Sequence, residues 1–394
     1  MITPVNAKIL QSALPVLKHQ GFRITTRFYS ILFENHPELK NLFNVRNQQS
    51  GSQQQALAKA IIRYVECLET PEKLAEMVNI IAHKHVSLGV IAEQYPIVGE
   101  TLLMAIKEVL ALDASDPILT AFFEAYNVLA DILIRAEATL VEAKHNKTND
   151  FVGFKSFRIE RIVQESNTVK SFYFQPEDGS IIPDALPGQF ISVRVKPEGY
   201  PNQQIRQYTL SDINQLRISV KKEPEGLVSS HLHGLQVGDL VELQSPSGHF
   251  IHKNSAKKSV FIAGGVGITP LFSMLKSLVA KAADKNHLML IHCVQDQAST
   301  LFDESLCQWK DDGKIHLKRS YDKGEGADHT GYLQRSVLKA WFDDDEFTPD
   351  NTDIYLCGPA PFMRHAFSLC SELGFTDQNI HYEVFGPTEA ISGV

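Results

Sequence analysis

Apolar residues recur at helical spacing through the first third of the chain: along Ile9–Leu17, at Phe28, Ile31 and Leu32, and at Leu57, Ile61, Ile62 and Val65. Positions three and four apart share one face of a helix, so each run predicts an amphipathic helix with a buried side. Start signals agree. Thr70-Pro71-Glu72 offers a cap, a proline for the first helical position and an acid for the first turn, and Asp116-Pro117 repeats the first two parts. Tyr95-Pro96 marks a further boundary, because proline disfavours the helical conformation in the residue before it. No alternating strand pattern and no repeat occurs in this region.

The polar stretch Lys144-His145-Asn146-Lys147-Thr148-Asn149-Asp150 reads as a linker. From Phe154 the pattern becomes one of short strands. Ile191, Val193 and Val195 alternate onto one face, and Pro187-Gly188, Glu225-Gly226 and Ser247-Gly248 punctuate the segments with turns. Closely spaced strands without intervening helices predict a small antiparallel barrel. From about Ser259 the pattern changes again. Ser259-Val260-Phe261-Ile262-Ala263 is a buried strand, followed by a glycine loop and a helix from Pro270 to about Ala282, with further buried strands at Leu288–Val294 and Asp353–Leu356. Strand and helix in alternation imply a parallel sheet. The expected class is therefore multidomain: an all-α region over 1–145, an antiparallel β-barrel over 151–255 and an α/β parallel-sheet domain over 256–394.

A length of 394 residues agrees with two or three domains, and 43% hydrophobic with 21% charged residues is ordinary for a soluble globular protein. The net charge of −8 argues against nucleic acid or an anionic membrane as partner. No apolar run is expected to reach the length of a membrane span, and Met1-Ile2-Thr3-Pro4 shows no basic region leading into an apolar core, so a cytoplasmic protein is expected. The cysteines are Cys67, Cys293, Cys307, Cys357 and Cys370, with no C-x-x-C pair. That spacing disfavours a disulfide framework and gives no clustered thiolates for an iron–sulfur centre.

The chemistry concentrates in four motifs. Gly264-Gly265-Val266-Gly267-Ile268-Thr269-Pro270 lies between a predicted strand and helix, where Thr269 can cap and Pro270 can open the helix. Glycines let the backbone approach a pyrophosphate, and a helix N-terminus offers it free amide hydrogens. Alone, such a loop is more often an ordinary tight turn in a parallel sheet. Upstream stands Arg206-Gln207-Tyr208-Thr209-Leu210; downstream stand Cys357-Gly358-Pro359 and Phe385-Gly386-Pro387. Arg206 can grip a pyrophosphate bidentately. Tyr208 can lie against a flat ring system, with the Thr209 hydroxyl at its edge.

In this order and spacing the motifs resemble the two-domain flavin reductase module of the ferredoxin–NADP reductase superfamily, which moves electrons between a nicotinamide and one-electron carriers. The resemblance implies FAD on the barrel, held by Arg206, Gln207, Tyr208 and Thr209 together with Phe190, Gly226, Val228 and Ser229. It implies NADH or NADPH on the loop Gly265, Val266, Gly267, Ile268, Thr269 and Pro270, with Cys357, Gly358 and Pro359 beside the nicotinamide. Glu383, Val384, Phe385, Gly386 and Pro387 follow at the ring face that the nicotinamide must approach. Val384 departs from the cysteine expected before Phe385; it should leave binding intact and alter hydride-transfer geometry or flavin potential. Gln295-Asp296-Gln297-Ala298-Ser299-Thr300 supplies hydroxyls and an acid but no cation for a 2′-phosphate, which favours NADH with NADPH tolerated.

In the helical third, Pro37-Glu38-Leu39-Lys40-Asn41-Leu42-Phe43-Asn44, Lys84-His85, Glu93-Gln94-Tyr95-Pro96-Ile97-Val98-Gly99 and Ala136-Glu137-Ala138 resemble a globin. With the reductase behind it, the whole chain is similar to the flavohemoglobin family. The implied activity is nitric oxide dioxygenase: electrons run from NAD(P)H through FAD to one haem b, and nitric oxide and O2 become nitrate. His85 is then the axial iron ligand, with His83 its competitor, and Lys84 reaches toward a haem propionate or the flavin side. Tyr95 and Glu137, bonded to the other nitrogen of His85, would increase its imidazolate character. Tyr29 can donate its hydroxyl to O2; Gln53 and Leu57, four apart, share its pocket, and Phe43 packs on the porphyrin. The expected partners are O2, nitric oxide and NAD(P)H, bound by a monomer. Two alternatives stand beside this reading: a gas carrier or sensor with a built-in reductase, and a flavin reductase for an external acceptor.

Overall fold

The computed structural model describes residues 2–147, 149–255, 257–281 and 287–385. The chain packs as two compact units, one of Met1–Phe154 with Ser192–Arg206 and one of Lys155–Ile191 with Gln207–Val394.

The first unit opens with α1 (Pro4–Asn35), a 3-10 turn (Pro37–Leu42), α2 (Val45–Gln49), α3 (Ser52–Glu66), α4 (Pro71–Leu88), α5 (Gln94–Leu110) and α6 (Pro117–His145). Asp116 caps α6 as its sequence implies, accepting the Ile118 amide at 2.9 Å. Thr70 holds the cap position of α4, but its side chain makes no capping bond. Tyr95 is already helical, because α5 begins at Gln94. The polar stretch after residue 143 begins later than expected: Lys144 and His145 belong to α6, and Lys144 is buried. One stripe from each long helix meets in a common core, with Leu10, Leu17, Ile24, Phe28, Leu32, Val65, Ala105, Ile106 and Ala121 nearly or fully enclosed. The expectation that no apolar run reaches span length is corrected by α6, which at 29 residues is long and apolar enough by length and composition to cross a membrane. In this fold it packs against α1, α4 and α5, which accounts for its apolar stripe.

The barrel runs β1 (Phe154–Gln164), β2 (Val169–Pro176), β3 (Phe190–Val195), β4 (Gln204–Asp212), β5 (Arg217–Lys221), α7 (Leu227–Gly234) and β6 (Leu240–Gln244). It closes in the order β1-β2-β5-β4-β3-β6. α7 is a correction to the helix-free expectation: at 8 residues it is shorter than the window over which a helical period shows in sequence.

The last domain contains β7 (Lys258–Gly264), α8 (Ile268–Ala280), β8 (Leu288–Val294), α9 (Asp303–Asp311), β9 (His316–Tyr321), β10 (His329–Thr330), α10 (Arg335–Asp344), β11 (Thr352–Gly358), α11 (Ala360–Glu372) and β12 (Ile380–Val384). The sheet order is β10-β9-β8-β7-β11-β12, with every pair parallel. Apolar layers cover both faces, as a parallel sheet requires. α8 starts two residues before Pro270; Gly267 stands at its cap, and Thr269 lies inside the helix with its hydroxyl on the Val266 carbonyl at 3.1 Å. Barrel and sheet are joined by an ion pair from Lys276 of α8 to the buried Asp212 of β4, 2.5 Å. Arg217 of β5 adds to this contact, its guanidinium 4.6 Å and 5.3 Å from the ring centres of Phe302 and Phe272.

Candidate functional site

On α4, the imidazole of His85 meets two partners from other helices, and both meet the same nitrogen. Nδ1 lies 2.8 Å from Glu137 Oε1 on α6 and 3.0 Å from the Tyr95 hydroxyl on α5. Tyr95 in turn donates to that same carboxylate oxygen at 2.5 Å. A carboxylate only accepts, so the two donors must be Tyr95 O–H and His85 Nδ1–H. The tautomer is thereby set, and Nε2 is left as the imidazole's lone-pair nitrogen. Glu137 and Tyr95 are both buried. Burial first, and then the bond to Glu137, push the Tyr95 phenol far above its ordinary range, so it stays a donor. The two partners converge on His85; His83, the competing histidine of the sequence, takes no part in this triad. Tyr126, which sequence reasoning missed, donates to the Tyr95 carbonyl at 2.6 Å. It lies on α6 with Glu137, about three turns away, and that periodicity was the available signal.

Tyr29 of α1 is buried among aromatic rings, with Phe43 edge-on at 5.5 Å and Phe33 stacked at 5.7 Å. Burial raises its hydroxyl to about 12, against the pull of side-chain hydrogen bonds from Gln53 and Gln48. It is therefore protonated throughout the physiological range. Gln53 and Leu57 occupy one face of α3, and Leu57 and Phe43 pack against the helical core. Gln48 was missed by sequence reasoning; Gln54 donates to its side-chain oxygen at 3.2 Å. The glutamine-rich run from Gln48 to Gln55 was the signal. Lys84 neighbours His85 in the last turns of α4.

Arg206, Gln207 and Tyr208 are the half-buried stretch of β4, a strand otherwise buried along its length. β3, which begins at Phe190, is the neighbouring strand in the barrel, and Thr209 is buried beside them. Within the first unit, Arg206 Nη2 donates to Asn44 Oδ1 at 2.6 Å. Gly226 stands at the cap of α7, with Val228 and Ser229 buried in its first turn. Ser229 Oγ accepts the Glu223 amide at 3.2 Å and donates to the Gly226 carbonyl at 3.3 Å, which pins the turn.

The glycine loop leaves β7 and enters α8 as predicted. Gly265 has φ of 55°, a left-handed conformation suited to glycine, and a Cβ added there would meet nothing within 4 Å. At Gly267 a Cβ would lie 2.3 Å from the Cys357 carbonyl, so the loop rests directly on Cys357-Gly358-Pro359. Glu383 is Cys357's register partner on β12. Burial, and then the Glu383 charge, hold the fully buried Cys357 thiol well above its usual range, so it is uncharged. Val384 packs against the apolar layer under α11, and Phe385 is half-exposed beyond it. Gly386 and Pro387 lie outside the described residues.

An α-helical globin-type unit with a carboxylate-backed histidine, followed by an antiparallel barrel and a parallel sheet with a glycine cradle, defines a haem–flavin oxidoreductase. The Globin family matches residues 26–133, the Oxidoreductase FAD-binding domain residues 156–252 and the Oxidoreductase NAD-binding domain residues 261–367. A flavohemoprotein of Rhizobium meliloti is 40% identical over 98% of this chain and 99% of its own length; one of Bacillus thuringiensis is 37% identical over 99% and 100%. The flavohemoglobin of Malassezia yamatoensis, solved with bound FAD and haem, superposes with a TM-score of 0.87 at 27% identity over 98% of this chain and 100% of its own. The chain belongs to the flavohemoprotein family.

Proposed function

We propose that the chain is an NAD(P)H-dependent nitric oxide dioxygenase, with one haem b in the helical unit and FAD on the barrel. The observation that carries the reading is the His85–Glu137–Tyr95 triad. A relative supports it: the FAD/NAD-binding domain of a nitric oxide dioxygenase from Vibrio cholerae is 34% identical over 59% of this chain, with a TM-score of 0.53. The residues fit the groups. Both hydrogen bonds of His85 fall on Nδ1, so Nε2 would bind iron, with Phe43 and Leu57 packing on the porphyrin and Lys84 at its edge. The half-open stretch Arg206–Tyr208 with Thr209, Phe190 and the cap Gly226–Ser229 would hold FAD. The open cradle Gly265–Pro270 with Cys357–Pro359 would hold the dinucleotide, with Glu383, Val384 and Phe385 at the nicotinamide end.

When bound, FAD supplies the conversion of a hydride pair into single electrons, and haem supplies the redox-active iron at which nitric oxide and O2 combine. Around those groups the chain performs four tasks. Glu137 holds the Nδ1 proton of His85 and thereby makes Nε2 the stronger donor. Tyr95 fills the same carboxylate oxygen, so the charge stays fixed in a dry site. Tyr29 keeps its proton and presents it to a polarised diatomic; Gln53 braces it. The uncharged Cys357 and the Gly267 contact shape a slot for the nicotinamide. The balance is two nitric oxide, two O2 and one NAD(P)H to two nitrate, one NAD(P)+ and one proton.

The test is aerobic turnover of nitric oxide with NADH by purified, haem-loaded protein. Stoichiometric nitrate with NADH consumption supports the reading. A protein that oxidises NADH but forms no nitrate is a flavin reductase or a carrier, and the reading fails.

A further inference from the structure

We propose that His292 is a positioning residue for the dinucleotide: its Nε2–H holds the Gly265 carbonyl inside the protein, so that amide hydrogens and not a carbonyl oxygen face the pyrophosphate. This rests on the reading of Gly265–Pro270 as the pyrophosphate cradle. His292 stands on β8 in register with Ala263, two residues before Gly265, on the neighbouring strand. It is 1% exposed, and its Nε2 lies 3.2 Å from the Gly265 oxygen. The Ile268 amide bonds the same oxygen. Both lone pairs of that carbonyl are thus filled, and it cannot swing outward without losing two bonds. A carbonyl turned into the cradle would present negative charge to an anion; turned away, it leaves the adjacent amides facing out.

The histidine carries a cost that its neighbours avoid. A carbonyl only accepts, so the proton must sit on Nε2, and Nδ1 becomes a buried acceptor that has no hydrogen-bond partner among the described residues. Met289, Leu290 and Ile291 on the same strand are buried and apolar. A leucine at 292 would remove the unsatisfied nitrogen and fill the space, so sheet stability alone disfavours histidine here. The bond to the loop is what the histidine adds.

The experiment uses the haem- and FAD-loaded protein and its His292→Leu and His292→Gln variants. Binding of ADP-ribose, which contains the pyrophosphate, and of AMP, which lacks it, is measured by calorimetry. Expected for His292→Leu is a weakening of ADP-ribose by about 3- to 10-fold with AMP unchanged. The KM for NADH should rise alike, with kcat toward ferricyanide, flavin content and melting temperature held or raised. His292→Gln, which keeps an amide donor, should recover most of the loss. ADP-ribose affinity unchanged in His292→Leu overturns the proposal. So does a loss shared by AMP and accompanied by a lower melting temperature, because that is a packing defect. If the unsubstituted protein itself does not bind ADP-ribose, the cradle reading is what has failed.

Discussion

Glu137 Oε1 accepts two hydrogen bonds in a buried site, one from Tyr95 and one from His85. Replacing the carboxylate by a neutral amide keeps the shape and removes the charge. Glu137→Gln should therefore retain haem, lower the iron–histidine stretching frequency in resonance Raman, and reduce nitrate formation by about 10-fold, the lower end of the usual cost of losing such a partner. An unchanged Raman frequency would remove Glu137 from the donor network. In the proposed reaction, Tyr29 acts on the other reactant. A hydrogen bond to a charged group contributes about 1.5–3 kcal/mol, which is about 10- to 100-fold in ligand retention. Tyr29→Phe should speed O2 release by that factor in stopped flow and leave flavin reduction by NADH untouched. His85, Tyr95 and Glu137 were legible in sequence because each sits in a segment resembling a globin. Gln48 and Tyr126 were not, since their importance arises from contacts across helices.

Among elements, the long helices were the most readable, because α1 and α3 to α6 each repeat one apolar stripe for several turns. β9 and β12 were hidden. Their residues, His316-Leu317-Lys318-Arg319-Ser320-Tyr321 and Ile380-His381-Tyr382-Glu383-Val384, alternate polar groups with apolar ones or break the pattern with charge. Strands toward a sheet's edge tolerate such residues because less of their surface is enclosed, whereas β7 and β8 are central and nearly all buried. Thr269 misled for a different reason: the helix begins two residues early, directly after the last glycine of the loop. That early start brings Gly267 against Cys357. Gly267→Ala should destabilise the protein by about 1–3 kcal/mol through overpacking. It should also raise the KM for NADH while haem content stays normal; an unaltered KM would separate the loop from dinucleotide binding.

At the scale of the whole molecule, buried titratable groups define a pH window. His292 and His381 are lowered by burial from 6.5 to about 4, so both are neutral in the fold while the unfolded chain takes up protons below its ordinary value. Their contribution is present above about 6.5 and is lost as pH falls toward 4. Tyr29, Tyr64 and Tyr355 are raised by burial from 10.0 to about 12. Their contribution is present below about 10 and is lost as pH rises toward 12. Urea midpoints should therefore fall as pH drops from about 6.5 toward 4 and fall again as pH rises toward 12. His292→Leu should soften the acid limb; an acid limb unmoved by that change would show that His292 is not neutral because of its burial. The three-part architecture itself was readable from the change of period at about residues 150 and 259, and the order of the four motifs pointed to most of the candidate site.

The account rests on nitric oxide and O2 being joined on this chain with electrons from NAD(P)H. Turnover of nitric oxide under 18O-labelled O2, with NADH as the only reductant and nitrate analysed by mass spectrometry, tests that directly. The predicted product is nitrate with both atoms of one O2 molecule, formed at two per NADH. Nitrate lacking one or both labels, or NADH consumption without nitrate, would contradict it.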